Sequence, residues 1–252
     1  FFFNDTATTE IYTLSLHDGS SDLLPELVQK ILAETQIPWI RLLYLYPDKI
    51  TDELVAVIRD NDRVCKYVDL PIQHVNDTVL ARMNRHGDGA VVRAAVEKIR
   101  REIPGVTLRT TAIVGFPGET EAQFAELCEF VKETGFDRFG AFTYSPEEGT
   151  PAAEFPDQID EQVKQDRYDT LMAVQLEVSE KKMQEKIGDV IEVLCEGYDP
   201  VAGVQYGRSR ADAPDVDGKV YFTSAKKLPE GVFVNVKITK ALDYDLFGEA
   251  VR

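Results

Sequence analysis

The chain has 252 residues and a mass of 28.3 kDa, and 44% of its side chains are apolar. A chain of this length and composition can bury a substantial core, so general disorder is excluded. The formal net charge is −16 and the isoelectric point is about 4.6. Because nucleic acids bind mainly to cationic surfaces, this charge argues against affinity based on phosphate neutralisation and favours a basic partner.

No run of residues approaches the roughly 18 to 20 apolar residues of a membrane span, and the amino terminus lacks a signal-peptide pattern. We therefore expect a cytoplasmic protein that does not contact a membrane. The three cysteines, Cys65, Cys128 and Cys195, are separated by more than 60 residues each and form no CxxC pair. This spacing predicts neither a disulfide framework nor a metal site, so we interpret them as reduced, small apolar residues.

Residues 1–21, FFFNDTATTEIYTLSLHDGSS, differ from the rest of the chain. They contain no initiator methionine and show no helical or strand periodicity. The string resembles the translated read-through of a sequencing adapter. We interpret it as a non-native or disordered leader, exclude it from fold prediction, and expect the native amino-terminal part to be missing.

From residue 22 the sequence alternates between strand and helix patterns. Four apolar runs of strand length end in polar or glycine residues, and they lie within Trp39–Pro47, Lys66–His74, Val106–Thr120 and Phe136–Thr150. Helical patterns of about 10 to 15 residues separate them, which predicts βαβ units and a parallel sheet of the α/β class. Functional groups are expected at the carboxyl ends of such strands.

The carboxyl-terminal third has a different pattern. A long polar helix is predicted first, and five short β-branched or aromatic segments follow it: DVIEVLCEGY, YGRSRADAP, GKVYFTS, GVFVNVKITKAL and DLFGEAV. This pattern is typical of a small five-stranded antiparallel barrel. We therefore expect an α/β domain over residues 22–157, a linker helix over 158–187 and a barrel domain over 188–252.

Several motifs carry a resemblance to a known family. The runs WIRLLYLYPD, LPIQH, LRTTAIVGFPGET and FTYSPEEGT resemble the later half of the radical S-adenosylmethionine (SAM) domain of the methylthiotransferases. The predicted barrel is similar to their TRAM domain, an OB-like module. The runs YLYPDKITDEL, PIQHVNDTVL, FTYSPEEGTPAA, GRSRADAPDVDG and ALDYDLFGEA are similar to the RimO type, which methylthiolates an aspartate of ribosomal protein S-twelve. The resemblance covers about residues 22–252.

The resemblance implies a partial (βα) barrel with about four of six strands, followed by the TRAM barrel. It also implies which residues lie along SAM, with the adenine bordered by the tyrosine at the end of the last strand. The cofactor-binding residues expected in this way are Gln73, Arg109, Thr111, Ile113, Gly115, Pro117, Gly118, Glu119 and Tyr144. We expect the turn from Gly115 to Gly118 to let the backbone approach the ligand and to expose amide groups at the start of the following helix. The alternative is that these residues form only a strand-to-helix turn. His74 is expected to be structural.

The family also requires a [4Fe-4S] cluster held by a CxxxCxxC motif and a second, sulfur-donating cluster in an amino-terminal domain. No such spacing exists here, so we assign no metal ligand and no catalytic residue. Thiolates at other spacings could not hold three irons of one cluster. The resemblance therefore implies a fragment without turnover of its own, in a family that also needs a reducing partner.

The barrel helps to choose among three functions. Residues 189–252 contain eleven acidic and eight basic residues, a net charge of −3. An acidic barrel suits a basic ribosomal protein or the small ribosomal subunit better than tRNA, which supports the RimO type. A tRNA methylthiotransferase of the MiaB type remains the first alternative, and a non-catalytic protein-binding module is the second.

Overall fold

A computed structural model describes residues 23–251, and these form two compact units. Of the described residues, the first unit contains 23–43, Ala56–Tyr67 and 179–251. The second unit contains Tyr44–Val55 and Val68–Val178. The leader that we expected over residues 1–21 lies outside the described residues. No helix in the described part is both long and apolar enough to cross a membrane.

Six α-helices are described between residues 23 and 251. They are α1 (Leu24–Glu34), α2 (Asp52–Asp60), α3 (Asp77–Arg82), α4 (Gly89–Glu102), α5 (Glu121–Thr134) and α6 (Glu161–Gln184). A capping box starts α5, since the Thr120 hydroxyl accepts from the Gln123 amide and the Gln123 side chain accepts from the Thr120 amide. This arrangement satisfies two amides that the helix leaves without an internal partner.

The four predicted strands of the α/β part are confirmed and form one sheet in the order β1-β2-β3-β4. Their bounds are β1 (Ile40–Leu42), β2 (Val64–Asp69), β3 (Thr107–Val114) and β4 (Arg138–Thr143). Strands β3 and β4 run parallel, in register from Arg109 with Arg138 to Val114 with Thr143. The carboxyl ends of these two strands therefore lie side by side.

Strands β1 and β2 are shorter than the apolar runs that predicted them. Tyr44, after β1, and Gln73, after β2, both have left-handed backbone conformations, with φ of 60° and 66°. A residue with positive φ cannot continue a strand. Gln73 still makes an isolated parallel bridge to Ala112 of β3. The chain thus turns at the carboxyl ends of both strands, where functional groups are expected.

The predicted small barrel is present and closed, in the order β5-β6-β7-β9-β8. Its strands are β5 (Val190–Asp199), β6 (Val204–Ser209), β7 (Val220–Thr223), β8 (Phe233–Ala241) and β9 (Leu246–Val251). The expectation that every pair is antiparallel was wrong, because β7 and β9 run parallel. Strand β9 lies between β7 and β8, so pairing antiparallel with β8 leaves it parallel to β7. The alternation pattern of single strands does not determine this order.

In the first unit the barrel packs against residues from the early part of the chain. Leu194 and Ala213 form a buried cluster with Trp39, Cys65 and Tyr67. The Trp39 and Phe233 rings meet edge to face with centroids 4.8 Å apart. The Tyr67 hydroxyl donates a 2.6 Å hydrogen bond to Asp217. The barrel therefore shares one core with Trp39 and with Cys65 and Tyr67 of β2 in this unit.

Candidate functional site

Strand β3 in the second unit has two different faces. Leu108, Thr110, Ala112 and Val114 are buried, whereas Thr107, Arg109, Thr111 and Ile113 are half-buried. This alternation is the period-two pattern of a strand with one covered face. Three of the expected site residues, Arg109, Thr111 and Ile113, therefore share the more open face.

Strand β4 extends this open face, because register partners on parallel strands point to the same side of a sheet. Gly140 is paired with Thr111, and Phe142 is paired with Ile113. A Cβ added at Gly140 would meet nothing within 4 Å, and Phe142 is 61% exposed. The face formed by Arg109, Thr111 and Ile113 with Gly140 and Phe142 is called the open face below.

Gln73 and Tyr144 both join β3 through their backbones. The Gln73 amide donates to the Thr111 carbonyl at 2.9 Å, and the Ile113 amide donates to the Gln73 carbonyl at 2.8 Å. The Tyr144 amide donates to the Val114 carbonyl at 2.9 Å. Within the described residues, Gln73 Oε1 and the Tyr144 hydroxyl are buried and have no hydrogen-bond partner. They are among several such atoms in residues 23–251, which also include Glu119 Oε1 and His74 Nε2, and each is a candidate ligand contact.

The turn after β3, Gly115–Glu119, is organised around the Glu119 carboxylate. This carboxylate is fully buried and accepts hydrogen bonds from the Gly115 amide and, at 3.2 Å, from the Phe116 amide. The Gly118 amide donates to the Asp157 carbonyl, and the Glu119 amide donates to the Phe116 carbonyl, both at 2.9 Å. The expectation that this turn presents its amides to a ligand was therefore wrong for these four, which are used within the protein.

Neighbouring protein atoms and the backbone conformation allow only glycine at two positions of this turn. Gly115 and Gly118 have φ of 72° and 77°, a region in which residues with a Cβ are strained. A Cβ at Gly115 would collide with the Lys164 side chain, and one at Gly118 would collide with Asp157. Pro117 lies between them and has no amide hydrogen to donate. The space beside both glycines is thus occupied by the chain itself.

Two buried cations of α6 contact this turn, and neither was predicted from the sequence. The Lys164 ammonium lies 5.3 Å from the Tyr144 ring centroid and pairs with Glu161 at 2.6 Å. Arg167 donates to the Glu119 carbonyl at 3.0 Å. Lys164, Arg167 and Leu171 follow each other at intervals of three and four residues, which places them on one face of a helix. All three are buried, and this spacing is the sequence signal that could have identified the two cations.

The aromatic rings around the turn form a second missed feature. Phe116 meets the Tyr144 ring edge to face at 5.0 Å and the Phe155 ring at 6.3 Å. Arg82 lies 5.0 Å from the centroid of the Phe155 ring and bonds Asp157 at 2.7 Å. This hydrogen bond holds the pKa of the Asp157 carboxyl below its ordinary value. These contacts hold the Tyr144 ring beside the turn.

Arg109 lies apart from the turn. It is near the amino end of β3, about 20 Å along the strand from Gly115 at the usual strand rise. Its guanidinium pairs at 2.8 Å with Asp69, whose side chain is 1% exposed and also accepts from the Tyr44 amide at 3.0 Å. Asp69 was not predicted as a site residue, although an acidic residue inside an apolar run was a signal. The remaining expected residues lie in the carboxyl half of β3, in the turn or directly beside them.

The cysteines and histidines do not form a metal site in residues 23–251, where no group of three or more metal-ligating side chains is found. Cys65 and Cys195 pack in apolar cores as small residues. Burial raises the pKa of the Cys128 thiol to about 11, with the nearby Glu119 and Glu121 charges adding to the effect. His74 is buried, and its Nδ1 accepts from the Asn76 amide at 3.0 Å. The described residues do not fit an iron–sulfur cluster.

The barrel carries a separate surface feature, a row of three half-buried rings on adjacent strands. Tyr206, Tyr221 and Phe247 have centroid separations of 6.4 Å and 5.1 Å. The Lys219 ammonium lies 4.7 Å from the Tyr206 centroid, and that of Lys240 lies 5.7 Å from the Phe247 centroid. We call these five residues the aromatic row. Rings and cations together are the chemistry that binds nucleic-acid bases and backbones.

Comparison with known families matches both parts of the chain. The profile of the radical SAM superfamily matches residues 7–131, and the profile of the TRAM domain matches residues 187–251. The solved structure of coproporphyrinogen III oxidase (HemN) from Escherichia coli, a radical SAM enzyme, superposes with a TM-score of 0.52 at 22% identity. It covers 63% of this chain and 37% of that protein, and at this identity it supports the fold alone.

Curated relatives are similar over most of the chain. The ribosomal protein uS12 methylthiotransferase RimO of Alkaliphilus oremlandii is 49% identical over 90% of this chain and 52% of the relative. The RimO protein of Geotalea uraniireducens is 50% identical over 95% of this chain and 53% of the relative. The chain thus spans about half the length of the curated relatives that it matches.

Proposed function

The chain belongs to the radical SAM superfamily and, within it, to the RimO-type methylthiotransferases; from this premise we propose that it is the cofactor-binding and substrate-recognition part of an enzyme that adds a methylthio group to an aspartate of ribosomal protein uS12. The observation that carries this proposal is the pair of unsatisfied buried atoms, Gln73 Oε1 and the Tyr144 hydroxyl, on residues that join β3. Unpaired polar atoms in a protein interior are costly unless a ligand satisfies them.

SAM fits this set of residues. Its ribose hydroxyls and amino groups can donate to Gln73 Oε1, and the adenine ring nitrogens can accept from the Tyr144 hydroxyl. Ile113 offers an apolar contact for the adenine on the open face, and Thr111 offers a hydroxyl. Arg109, Gly115, Pro117, Gly118 and Glu119 would act by shaping the strand and the turn rather than through their amides.

When bound, SAM and [4Fe-4S] clusters would supply the radical and sulfur chemistry of the reaction. The described residues provide no cluster ligands, so we propose that cysteines of another part of the polypeptide hold the clusters and that a reducing partner delivers the electron. The chain alone would then bind SAM without turning it over. A ribosomal substrate would place the reaction in the cytoplasm.

SAM binding is the first test, and isothermal titration calorimetry of the whole chain measures it directly. We expect Gln73→Ala and Tyr144→Phe each to weaken SAM binding by about tenfold, because each removes a hydrogen bond inside a buried site. Tyr198→Phe, on the barrel, is the matched control and should leave the affinity unchanged. Equal affinities for all four proteins would contradict the proposed SAM site, and so would absence of binding by the unsubstituted chain.

The TRAM barrel is proposed to hold the macromolecular substrate. Its net charge of −3 over residues 189–252 suits the basic protein uS12. The aromatic row favours the second candidate, a tRNA substrate as in the MiaB type, because stacked rings with lysines bind bases. The two substrates differ in charge, so their binding can be separated.

Binding of labelled uS12 and labelled tRNA to the whole chain distinguishes these candidates. We expect fluorescence anisotropy to give tighter binding of uS12, and we expect Tyr221→Ala to change that affinity by less than about threefold. Lys181→Ala, on α6, serves as the surface control. Preferential tRNA binding that Tyr221→Ala abolishes would replace uS12 with tRNA as the substrate.

A further inference from the structure

We propose that Arg167 of α6 is a positioning residue for SAM binding, acting through the Glu119 carboxylate on the turn Gly115–Glu119. This inference rests on the proposed function, because Arg167 can position residues for SAM only if the chain binds SAM. The contacts that support it all lie in the second unit.

The carboxylate of Glu119 determines the shape of the turn. It accepts from the amides of Gly115 and Phe116, the first two residues after β3. Phe116 in turn places its ring against Tyr144, which carries the unsatisfied hydroxyl. A displacement of the Glu119 carboxylate would therefore affect Tyr144, a proposed cofactor contact, through the amide and the ring of Phe116.

Arg167 holds Glu119 at two points. Its Nη1 atom donates to the Glu119 backbone carbonyl at 3.0 Å and lies 3.6 Å from the carboxylate Oε2. Its Nη2 atom bonds Glu121, in the first turn of α5, at 2.8 Å. The Arg167 side chain is only 7% exposed, and the Glu119 side chain is fully buried. A guanidinium in this position fixes both the backbone and the side chain of Glu119.

The other ionisable groups around Glu119 do not replace this cation. His74 Nε2 lies 3.8 Å from Oε1, beyond hydrogen-bond distance, and its Nδ1 already accepts from a backbone amide. Cys128 and Glu121, both on α5, have no positively charged form, and the Lys164 ammonium is paired with Glu161. Removing the partner of a buried charge is strongly destabilising, so the loss of Arg167 should displace the carboxylate from the turn.

Two readouts on the whole chain test this inference, with Arg167→Met as the main variant. The first is the SAM dissociation constant by calorimetry, which we expect to rise about tenfold. The second is the pair of Gly115 and Phe116 amide signals in ¹H–¹⁵N spectra, which should move upfield as their hydrogen bonds to Glu119 lengthen. Lys181→Met removes an exposed cation from the same helix, and it should change neither readout.

Two further variants separate positioning from a general loss of stability. Arg167→Lys keeps the charge and should recover part of the affinity, to about threefold weaker than the unsubstituted chain. Glu119→Gln should weaken SAM binding as Arg167→Met does, and the double variant should be no weaker than either single variant, because both act through one contact. This cycle stays informative if Arg167→Met folds poorly, since Arg167→Lys can take its place.

The outcomes distinguish the two proposals. If the unsubstituted chain does not bind SAM, the proposed function fails, while the amide signals still report whether Arg167 shapes the turn. If SAM binds but Arg167→Met and Arg167→Lys leave the affinity and both amide signals unchanged, the positioning role is overturned. Additive losses in the double variant would also overturn it.

Discussion

Gly115 and Gly140 lie on neighbouring parts of the second unit and differ in what surrounds them. Gly115 has φ of 72°, and Lys164 occupies the space where a Cβ would lie. Gly140 has no atom within 4 Å of that position and faces the open side of the sheet. The first glycine is therefore required for packing, whereas the second leaves space in front of the proposed cofactor face.

Substituting both glycines with alanine measures this difference. We expect Gly115→Ala to lower the free energy of unfolding by about 3 kcal/mol, because the new methyl group adds steric overlap to backbone strain. Gly140→Ala should stay within about 0.5 kcal/mol of the unsubstituted chain. Urea denaturation followed by circular dichroism gives both values. Equal losses at the two positions would show that the space beside Gly140 is not open.

At the scale of elements, local patterns predicted much of the second unit. Two apolar runs that end in polar or glycine residues correctly predicted β3 and β4, and the helical pattern between them correctly predicted α5. These predictions succeeded because the apolar pattern of a strand or a helix depends on residues close together in the chain.

Helix α6 shows where local patterns are insufficient. Its buried positions include Lys164, Arg167, Gln175 and Ser179, so its covered face carries little hydrophobic signal. Arg167 bonds Glu119 and Glu121, and Gln175 donates to the Phe136 carbonyl at 3.1 Å. The partners of Arg167 and Gln175 lie far away in the sequence and cannot be inferred from the helix itself. Arg167 was missed for this reason, whereas Lys164 pairs with Glu161 on its own helix, a pattern that is also common on exposed helix faces.

At the scale of the whole molecule, the first unit joins segments that are far apart in the sequence. Leu194 of β5 lies between Val193 and Cys195, which belong to the barrel core. Leu194 therefore points out of the barrel, yet it is 2% exposed, because Trp39 and Tyr67 cover it. Alternation alone would have placed this leucine in solvent, and only the packing of the early segment explains its burial.

Trp39 is the single tryptophan of the chain, so its fluorescence reports on this shared core. We expect Leu194→Ala to lower the stability seen by Trp39 in urea by about 3 kcal/mol, because it leaves a cavity against the indole. Val201→Ala, at a barrel position that is 96% exposed, is the control and should not move the transition. The far-ultraviolet circular-dichroism signal should include a transition at the same urea concentration as the fluorescence if this unit unfolds cooperatively. A fluorescence transition that Leu194→Ala leaves unmoved would mean that Trp39 and the barrel do not share a core in solution.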